Sequence, residues 1–317
     1  MVKLDIWIRV VRAKFFLAGI PSVILGTVIA WYQIMTFNLL YFLLALCGVI
    51  FAMAGCYTFN EYFDFKSGVD TAVRAKDITP FSGGSRVLPE GLIQPSSVFK
   101  AGLVFWMLAS LIGIYLTLVR GWVVLLLAFA GLFTGVFYTS PPFKWAYRGL
   151  GEVLIGITYG PLITLGSYYI QLMTLQPSEY VIIPSLIPGL LITAVIWINE
   201  FPDYHADKRI GKKNLVVRLG KAKASIVYAI LLITIYMLLL IGILLQILPF
   251  STLIVLLTLP VACRNIVTVR KNYNNSQKLI PAMGGTILLF ISATFLLALG
   301  YLLATITARA MGYAAAH

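Results

Sequence analysis

The chain has 317 residues, of which 60% are hydrophobic and only 11% are charged, and its mean hydropathy is +0.94. Because apolar stretches of about 20 residues recur along it, this composition indicates an integral membrane protein rather than a soluble domain. The net charge of +13 would suggest a nucleic-acid partner in a soluble protein, but the placement of the charges argues against that partner here.

The apolar stretches predict an all-α membrane protein, a bundle of about nine transmembrane helices around a central cavity that opens near the cytoplasmic face. The stretches are continuous and do not alternate between apolar and polar residues, which favours helices over a barrel. In chain order the predicted spans are 15–34, 39–59, 98–119, 121–139, 152–172, 180–201, 223–245, 249–268 and 280–305. We expect one domain, residues 1–317, in which loops 60–97 and 202–222 form a cap over the site.

Lysine and arginine are concentrated on one side of the predicted bundle. Of the 24 such residues, 22 lie before the first span or in segments 60–100, 140–149, 202–223 and 264–278. By the positive-inside rule, this side of the bundle faces the cytoplasm. The sequence therefore predicts a multi-pass protein of the cell membrane with a cytoplasmic N-terminus. Topology is the simplest explanation for most of this charge, and attraction to anionic lipids is a second one.

Acidic residues are concentrated in two of the same segments, and topology does not require them there. Eight of the eleven lie in 60–97 and 199–223. The first segment opens with NEYFD, in which Asn60 and Asp64 are four residues apart and therefore share a helix face. Asp70 follows Gly68, which can turn the chain and bring a third carboxylate towards that face.

The second acidic segment nearly repeats the first, with NEFPD at 199–203. Asn199, Asp203 and Asp207 form one stripe on a helix, and Pro202 is expected to kink that helix or to restart it. Because both helices end on the same side of the bundle, the two polar stripes can converge in one cavity.

Oxygen ligands without a nearby Cys or His cluster suit a hard cation such as Mg²⁺. Mg²⁺ takes one or two carboxylates and completes its coordination with phosphate oxygens and water. Two facing stripes therefore predict a two-metal clamp for a phosphorylated ligand. The alternative is that the carboxylates are solvated helix ends neutralised by Lys and Arg, but the repetition of the motif favours the metal site.

A diphosphate also needs Lys or Arg donors for its negative charge. Lys212 and Arg86 lie in the loops that follow the acidic stripes, and Lys144 and Arg148 are four apart in a short loop. A topological role is the alternative for each of them.

The paired motifs resemble those of the UbiA superfamily of intramembrane prenyltransferases. The resemblance covers most of the chain, including the 138–148 loop and the segment that ends at Gly220. Glu61 and Gly68 stand where the family commonly has Asp, and Pro202 stands where the naphthoate enzymes often have Arg. The displaced Asp70 and the FSGGSR loop are closest to the menaquinone branch.

This resemblance implies Mg²⁺-dependent transfer of a polyprenyl group from its diphosphate to an aromatic acceptor, with 1,4-dihydroxy-2-naphthoate in menaquinone biosynthesis as the best choice. It implies two Mg²⁺ ions, the first held by Asn60, Asp64 and Asp70 and the second by Asp203 and Asp207. The diphosphate contacts that it implies come from Arg86, Lys144, Arg148 and Lys212.

Three further residues have a proposed substrate role beside a simpler one. Tyr138 is expected to stabilise an allylic cation through its ring, or to be an interfacial tyrosine. Asn199 is expected to orient a carboxylate or to bind a ligand. Arg12 is expected to meet an acceptor carboxylate, or to serve as a topology signal.

Glycines at 131, 135, 156 and 160 are spaced by four, which predicts close helix packing. A groove for an apolar prenyl tail is the second role that we consider for them.

Several alternatives stay open. Within the family, 4-hydroxybenzoate, a homogentisate-like ring or a glycerophosphate could be the acceptor. A CDP-alcohol phosphatidyltransferase would carry its aspartates in one segment, whereas here they are divided between Asp64 and Asp207. A cation transporter would place carboxylates within the membrane span, whereas these lie at helix ends.

Overall fold

A computed structural model describes residues 4–73, 77–82, 84–174 and 179–310, apart from the side chains of Lys14, Asp70 and Thr71. The described residues are mainly helical. The α-helices are α1 (Leu4–Val10), α2 (Ile20–Ile34), α3 (Leu39–Ser67), α4 (Val69–Ala72), α5 (Pro95–Arg120), α6 (Trp122–Val136), α7 (Gly151–Ile157), α8 (Ile163–Leu172), α9 (Glu179–Arg209), α10 (Leu215–Leu219), α11 (Lys221–Leu244), α12 (Leu259–Asn272) and α13 (Ser276–Ala310).

Eight helical segments of the described chain are long and apolar enough to cross a membrane. They are Leu4–Ile34, Leu39–Ser67, Pro95–Arg120, Gly151–Leu172, Glu179–Arg209, Lys221–Leu244, Phe250–Asn272 and Ser276–Ala310. The predicted span 121–139 corresponds to α6, whose 15 residues rise by about 22 Å, less than the roughly 30 Å hydrocarbon core. The predicted helical membrane bundle is confirmed, with one span replaced by a shorter apolar helix.

The two polar motifs belong to long helices and not to the predicted loops 60–97 and 202–222. Helix α3 continues to Ser67, where Gly68 with φ +80° ends it and donates to carbonyls of the last turn. Helix α9 runs unbroken through Pro202 to Arg209, so the helix does not restart there. Membrane helices tolerate such prolines because neighbouring groups satisfy the freed carbonyl. We call the end of the bundle where α3 and α9 finish the site end.

Close helix contacts support the α7–α8 segment. A Cβ atom on Gly160 would lie 2.6 Å from the Cα of Gly189, and one on Gly156 would lie 2.4 Å from Oγ1 of Thr193. Between α7 and α8 the chain forms a π-helical turn, Thr158–Leu162, of the kind that often marks functional regions. Gly156 and Gly160 therefore have the close-packing role that their spacing predicts.

The loop before α5 covers the site end and is attached by buried carboxylates. Glu61, fully buried, accepts hydrogen bonds from Nε of Arg12 (2.8 Å) and from Oγ of Ser85 (2.6 Å). Asp77 accepts a 2.7 Å hydrogen bond from Oγ of Ser276, at the start of α13. These contacts hold the N-terminal segment and the loop against the bundle.

Candidate active site

A cavity of about 540 Å³ lies at the site end between α3, α9, α13 and the loop before α5. Polar residues from both acidic motifs line it. The predicted site residues in this lining are Arg12, Asn60, Asp64, Tyr138, Asn199, Asp203 and Lys212. The structure therefore brings the two motifs into one cavity.

The first motif is held by the loop that follows α6. Oδ1 of Asn60 accepts a 2.9 Å hydrogen bond from Oγ1 of Thr139. Oδ1 of Asp64 accepts a 2.9 Å hydrogen bond from the hydroxyl of Tyr147, which also contacts Oγ of Ser67 at 2.7 Å. Asn60 and Asp64 thus have fixed orientations in the cavity lining.

Tyr147 was not predicted, yet it connects several charged groups of the site. Burial raises the pKa of its phenol, and the charge of Asp64 raises that pKa further, so the hydroxyl stays protonated and donates. The ammonium groups of Lys144 and Lys212 lie 5.4 and 5.7 Å from the centre of its ring. A ring with two neighbouring cations and one carboxylate orders this side of the cavity.

In the second motif Asp203 lines the cavity, whereas Asp207 is fully buried beside it. Oδ2 of Asp207 accepts a 2.8 Å hydrogen bond from Nδ2 of Asn214, whose Oδ1 in turn caps α10 through the backbone N–H of Val217. Oδ1 of Asp207 lies 3.5 Å from Nζ of Lys212. The last carboxylate of the stripe therefore positions a cation without lining the cavity, and its role as a metal ligand stays a prediction.

Lys212 lies between the two motifs. Burial alone would lower the pKa of its ammonium group, but the charges of Asp207 and Asp64 outweigh burial and raise that pKa well above its ordinary value. The side chain therefore stays cationic while it lines the cavity. A fixed positive charge beside two carboxylates suits an anionic ligand that shares the site with a metal ion.

The other predicted cations lie outside the cavity lining. Arg148 is exposed, and its guanidinium donates to the carbonyl of Pro142 at 3.1 Å. The turn that begins at Lys144, where φ is +49°, directs Tyr147 and not Arg148 towards Asp64. Arg86 follows the loop residues that line the cavity without being one of them.

The structure describes the side chain of Arg12 but not that of Asp70. Arg12 faces the cavity, but its guanidinium is also paired with Glu61, which the prediction did not include. Asp70 belongs to α4, and its side chain lies outside the described residues, so its role as a ligand stays a prediction.

Tyr138 lines the cavity just beyond the end of α6. Burial raises the pKa of its phenol well above the ordinary value, and the charge of Glu200 adds to this effect. The side chain is therefore a neutral aromatic group at neutral pH. Such a ring can stabilise a ligand cation through its face.

Unpaired oxygen atoms also occur in the lining. Oδ1 of Asn199 and Oε2 of Glu200 are buried and have no hydrogen-bond partner among the described residues. The fully buried Glu152 is a neighbour of Glu200 and accepts a hydrogen bond from the backbone N–H of Leu215. Glu200 belongs to the NEFPD motif, but the sequence did not predict a role for it. Only the structure shows that it lines the cavity.

The donor set of the cavity fits a metal ion that the ligand helps to bind. Across the described residues no three His, Cys, Asp or Glu side chains form a metal site by themselves. The lining does supply carboxylate and amide oxygens from Asn60, Asp64, Asn199 and Asp203. Mg²⁺ accepts such a partial protein shell when phosphate oxygens and water complete it.

Several named proteins match two thirds or more of this chain. The chain is 31% identical over 232 residues to a 1,4-dihydroxy-2-naphthoate octaprenyltransferase of Escherichia coli, covering 71% of this chain and 72% of that one. It is 29% identical over 212 residues to a protein of the same name from Bacillus subtilis, and that match spans 67% of this chain but only 65% of the relative. A 2-carboxy-1,4-naphthoquinone phytyltransferase of Synechocystis is 26% identical, and the match covers 93% of this chain and 92% of that one.

Solved structures share the fold. A UbiA homologue from Archaeoglobus fulgidus bound to GPP and Mg²⁺ has a TM-score of 0.61 at 16% identity, covering 92% of this chain and 99% of that one. A UbiA homologue from Aeropyrum pernix has a TM-score of 0.62 at 16% identity, covering 87% of this chain and 97% of the other. Residues 19–283 match the UbiA prenyltransferase family. The chain belongs to this family and is a membrane-embedded prenyltransferase.

Proposed function

We propose that this enzyme transfers a polyprenyl group from a polyprenyl diphosphate to 1,4-dihydroxy-2-naphthoate, as in menaquinone biosynthesis. The observation that carries the proposal is the meeting of both acidic motifs with Lys212 in one cavity. The acceptor is inferred from relatives named for this activity at 29% and 31% identity.

Asn60 and Asp64 from α3 and Asp203 from α9 are the side chains best placed to hold Mg²⁺, with Asp70 as a further ligand of the first motif. Two Mg²⁺ ions in this cavity stay the prediction. Asp207 supports the second motif through its contacts with Lys212 and Asn214. Bound Mg²⁺ would supply positive charge that stabilises the diphosphate as the allylic C–O bond breaks.

The protein groups bind and orient the two substrates. Lys212 contributes a fixed positive charge for the diphosphate. Lys144 lies beside the ring of Tyr147 and outside the cavity lining, and it stays a predicted diphosphate contact. Arg86 and Arg148 stay predicted diphosphate contacts that would need to turn towards the cavity. Tyr138 presents a neutral ring to the allylic carbon as positive charge develops there.

The acceptor occupies the part of the cavity near the N-terminal segment. Arg12 lines that part, and its guanidinium is oriented by Glu61, so it can contact an acceptor carboxylate. The electron-rich ring then forms a carbon–carbon bond to the allylic carbon as the C–O bond to the diphosphate breaks. The attacked ring carbon then loses its proton, or its carboxylate as CO₂, which restores aromaticity. The loop before α5 covers this region and limits the access of water.

The orientation in the membrane follows from the charges. We infer that the site end faces the cytoplasm, together with the N-terminus, because the Lys- and Arg-rich loops lie there. The same side carries the loops 77–94 and 210–220, which we propose as the cap of the single domain. Lipid surrounds the bundle, and both substrates reach the site at its cytoplasmic boundary.

The acceptor is tested with purified wild-type protein in detergent, Mg²⁺ and geranylgeranyl diphosphate. The acceptors would be 1,4-dihydroxy-2-naphthoate, 4-hydroxybenzoate, homogentisate and glycerol 1-phosphate, each at the same concentration. Prenylated product from the naphthoate at the highest rate supports the proposal. A higher rate with another compound would identify that compound as the preferred acceptor. The assignment of the protein as a prenyltransferase would still hold.

A further inference from the structure

Two carboxyl groups meet in the wall of the cavity. Glu200 of α9 lines the cavity, and the fully buried Glu152 of α7 lies within hydrogen-bonding reach of it. Oε2 of each carboxyl group is buried and has no hydrogen-bond partner among the described residues. Buried polar atoms are normally paired, so this arrangement calls for a physical explanation.

The position of Glu152 is fixed by contacts with two other helices. Its Oε1 accepts a hydrogen bond from the backbone N–H of Leu215, the first residue of α10. Its carbonyl accepts a 3.3 Å hydrogen bond from Oγ1 of Thr193 on α9. A proton held between the two carboxyl groups satisfies one oxygen of each. Glu152 therefore orients Glu200, and the remaining oxygen of Glu200 can accept a hydrogen bond from a ligand in the cavity.

Glu200 lies where the two substrates have to meet. Its charge acts on the phenol of Tyr138, whose ring the proposed function places beside the allylic carbon. A Cβ atom on Gly151, next to Glu152, would lie 3.1 Å from Cε2 of the same tyrosine, so α7 begins at this part of the site. Arg12, the proposed contact of the acceptor carboxylate, belongs to the same lining. A side chain here can contact an acceptor as it approaches the allylic carbon.

The chemistry of the two substrates determines which of them a carboxyl oxygen can bind. A prenyl diphosphate carries acceptor oxygens and a hydrocarbon chain, and it has no hydrogen-bond donor when its phosphates are ionised. A carboxylate and a diphosphate also repel each other. The naphthoate and the alternative acceptors all carry a hydroxyl group, which can donate to a carboxyl oxygen in either protonation state of that carboxyl group. Of the two substrates, the acceptor therefore fits Glu200.

We propose that Glu200 accepts a hydrogen bond from a hydroxyl group of the acceptor and so selects hydroxylated acceptors, and that Glu152 is the positioning residue that orients it. The proposal rests on the proposed function, which supplies such an acceptor. Contacts of Arg12 with the carboxylate and of Glu200 with a hydroxyl group fix the ring relative to the allylic carbon. An analogue without the hydroxyl group leaves a buried oxygen unpaired and is rejected. Coordination of Mg²⁺ is the competing role for Glu200.

The test combines substitutions of Glu200 with acceptors that lack one hydroxyl group. Wild type, Glu200→Leu, Glu200→Gln and the control Glu179→Leu, at the exposed start of α9, are saturated in detergent with Mg²⁺ and a non-hydrolysable geranylgeranyl diphosphate analogue. Calorimetry then gives the Kd of 1,4-dihydroxy-2-naphthoate, 1-hydroxy-2-naphthoate and 4-hydroxy-2-naphthoate for each protein. Because the analogue does not react, these Kd values are independent of transfer.

We expect wild type to bind one of the two monohydroxy compounds about 10- to 100-fold more weakly than the dihydroxy compound, as for loss of a hydrogen bond to a carboxylate. Glu200→Leu should bind that compound and the dihydroxy compound with Kd values within about threefold of each other. Glu200→Gln should keep most of the discrimination, because its amide nitrogen donates to Glu152 and its amide oxygen accepts from the ligand. Glu179→Leu should match wild type.

The positioning role of Glu152 is tested with the same three compounds. Glu152→Gln can accept from Leu215 and donate to Glu200, so it should keep the wild-type discrimination. Glu152→Leu can do neither, and it should lower the discrimination to less than about threefold. Equal discrimination in wild type and Glu152→Leu would overturn the positioning role, since a residue that only fills space would give this result.

Equal binding of the three naphthoates by wild type would overturn the hydroxyl contact without the use of any variant. Full discrimination in Glu200→Leu would also overturn it, because the hydroxyl group would then have another partner. A higher Mg²⁺ requirement for binding of the diphosphate analogue in Glu200→Gln would assign Glu200 to the metal ion and overturn it as well.

These results are distinct from a failure of the proposed function. Wild type that binds the naphthoates with the expected discrimination but transfers no prenyl group to them would contradict the proposed acceptor and leave the hydroxyl contact standing. If 4-hydroxybenzoate is prenylated instead, the proposal predicts the same pattern of Kd values with benzoate as the compound that lacks the hydroxyl group.

Discussion

The hydroxyl of Tyr147 donates a 2.9 Å hydrogen bond to Oδ1 of Asp64. The backbone of the same tyrosine is tied to the other motif, because its carbonyl accepts a 3.0 Å hydrogen bond from the N–H of Lys213. One aromatic residue in a short loop therefore connects the end of α3 to the segment that follows α9. Such indirect contacts orient metal ligands and tune their affinity.

Replacing Tyr147 by Phe removes this hydrogen bond and keeps the ring. We expect the Mg²⁺ concentration that gives half-maximal transfer to rise by about 10- to 100-fold, with most of kcat recovered at saturating Mg²⁺. A Mg²⁺ titration of the transfer rate measures this. Tyr115→Phe, at an exposed position of α5, is the matched control, and an unchanged Mg²⁺ requirement in Tyr147→Phe would show that the bond does not position the ligand.

Lys212→Ala removes the cation between the two motifs. We expect kcat/KM for the prenyl diphosphate to fall by about 10²- to 10³-fold, as for the loss of other preorganised charge contacts. Steady-state kinetics with varied diphosphate measures this loss. The neighbouring and exposed Lys213 provides the control as Lys213→Ala, since its side chain is outside the cavity lining. Equal effects of the two substitutions would contradict a specific role for Lys212.

Glu61→Gln tests a structural role for the buried carboxylate. Glu61 is fully buried, and the substitution removes the negative charge that pairs with Arg12, so we expect the free energy of unfolding to fall by about 3–5 kcal/mol. The control is Glu90→Gln, which breaks the exposed pair between Arg9 and Glu90 and should cost less than about 1 kcal/mol. Thermal unfolding in detergent gives the midpoints of both variants. Similar midpoints for Glu61→Gln and Glu90→Gln would refute a structural role for Glu61.

Gly160→Ala and Gly131→Ala compare a glycine in a close helix contact with a glycine that faces open space. The first adds a methyl group 2.6 Å from the Cα of Gly189 and should destabilise the protein by about 1–3 kcal/mol. The second adds a methyl group to open space and should leave the unfolding midpoint unchanged or slightly higher. The unfolding midpoints of both variants are measured in detergent. A larger decrease of the midpoint in Gly131→Ala than in Gly160→Ala would contradict these contacts.

Spacing along the chain predicted the meeting of the two motifs well. Asn60 and Asp64 share a face of α3, and Asn199 and Asp203 share a face of α9, because residues four apart lie one above the other on any helix. In the predicted series of nine alternating spans both helices end on the same side of the bundle, and in the structure both contribute to one cavity. These relationships depend only on helix geometry and on the order of the spans, so the amino-acid sequence is sufficient to derive them.

Loop direction could not be derived in that way. Lys144 and Arg148 have the spacing of one helical turn, but a left-handed residue and a short 3₁₀ turn direct Tyr147 towards Asp64 instead. Glu61 adjoins Asn60 yet faces Arg12, because successive helical residues point in different directions. The partner of each side chain depends on segments far away in the sequence, and no local pattern identifies it.

A single site shared by both motifs is tested by the release of diphosphate. Release from geranylgeranyl diphosphate with 1,4-dihydroxy-2-naphthoate is followed with Mg²⁺ and with EDTA, for wild type, Asp64→Asn, Asp203→Asn and the double variant. We predict Mg²⁺-dependent release by wild type, a loss of at least about 10²-fold in each single variant, and no greater loss in the double variant. Two results would contradict a shared site. One is a double variant in which the fold-losses of the two single variants multiply. The other is a single variant that releases diphosphate at the wild-type rate.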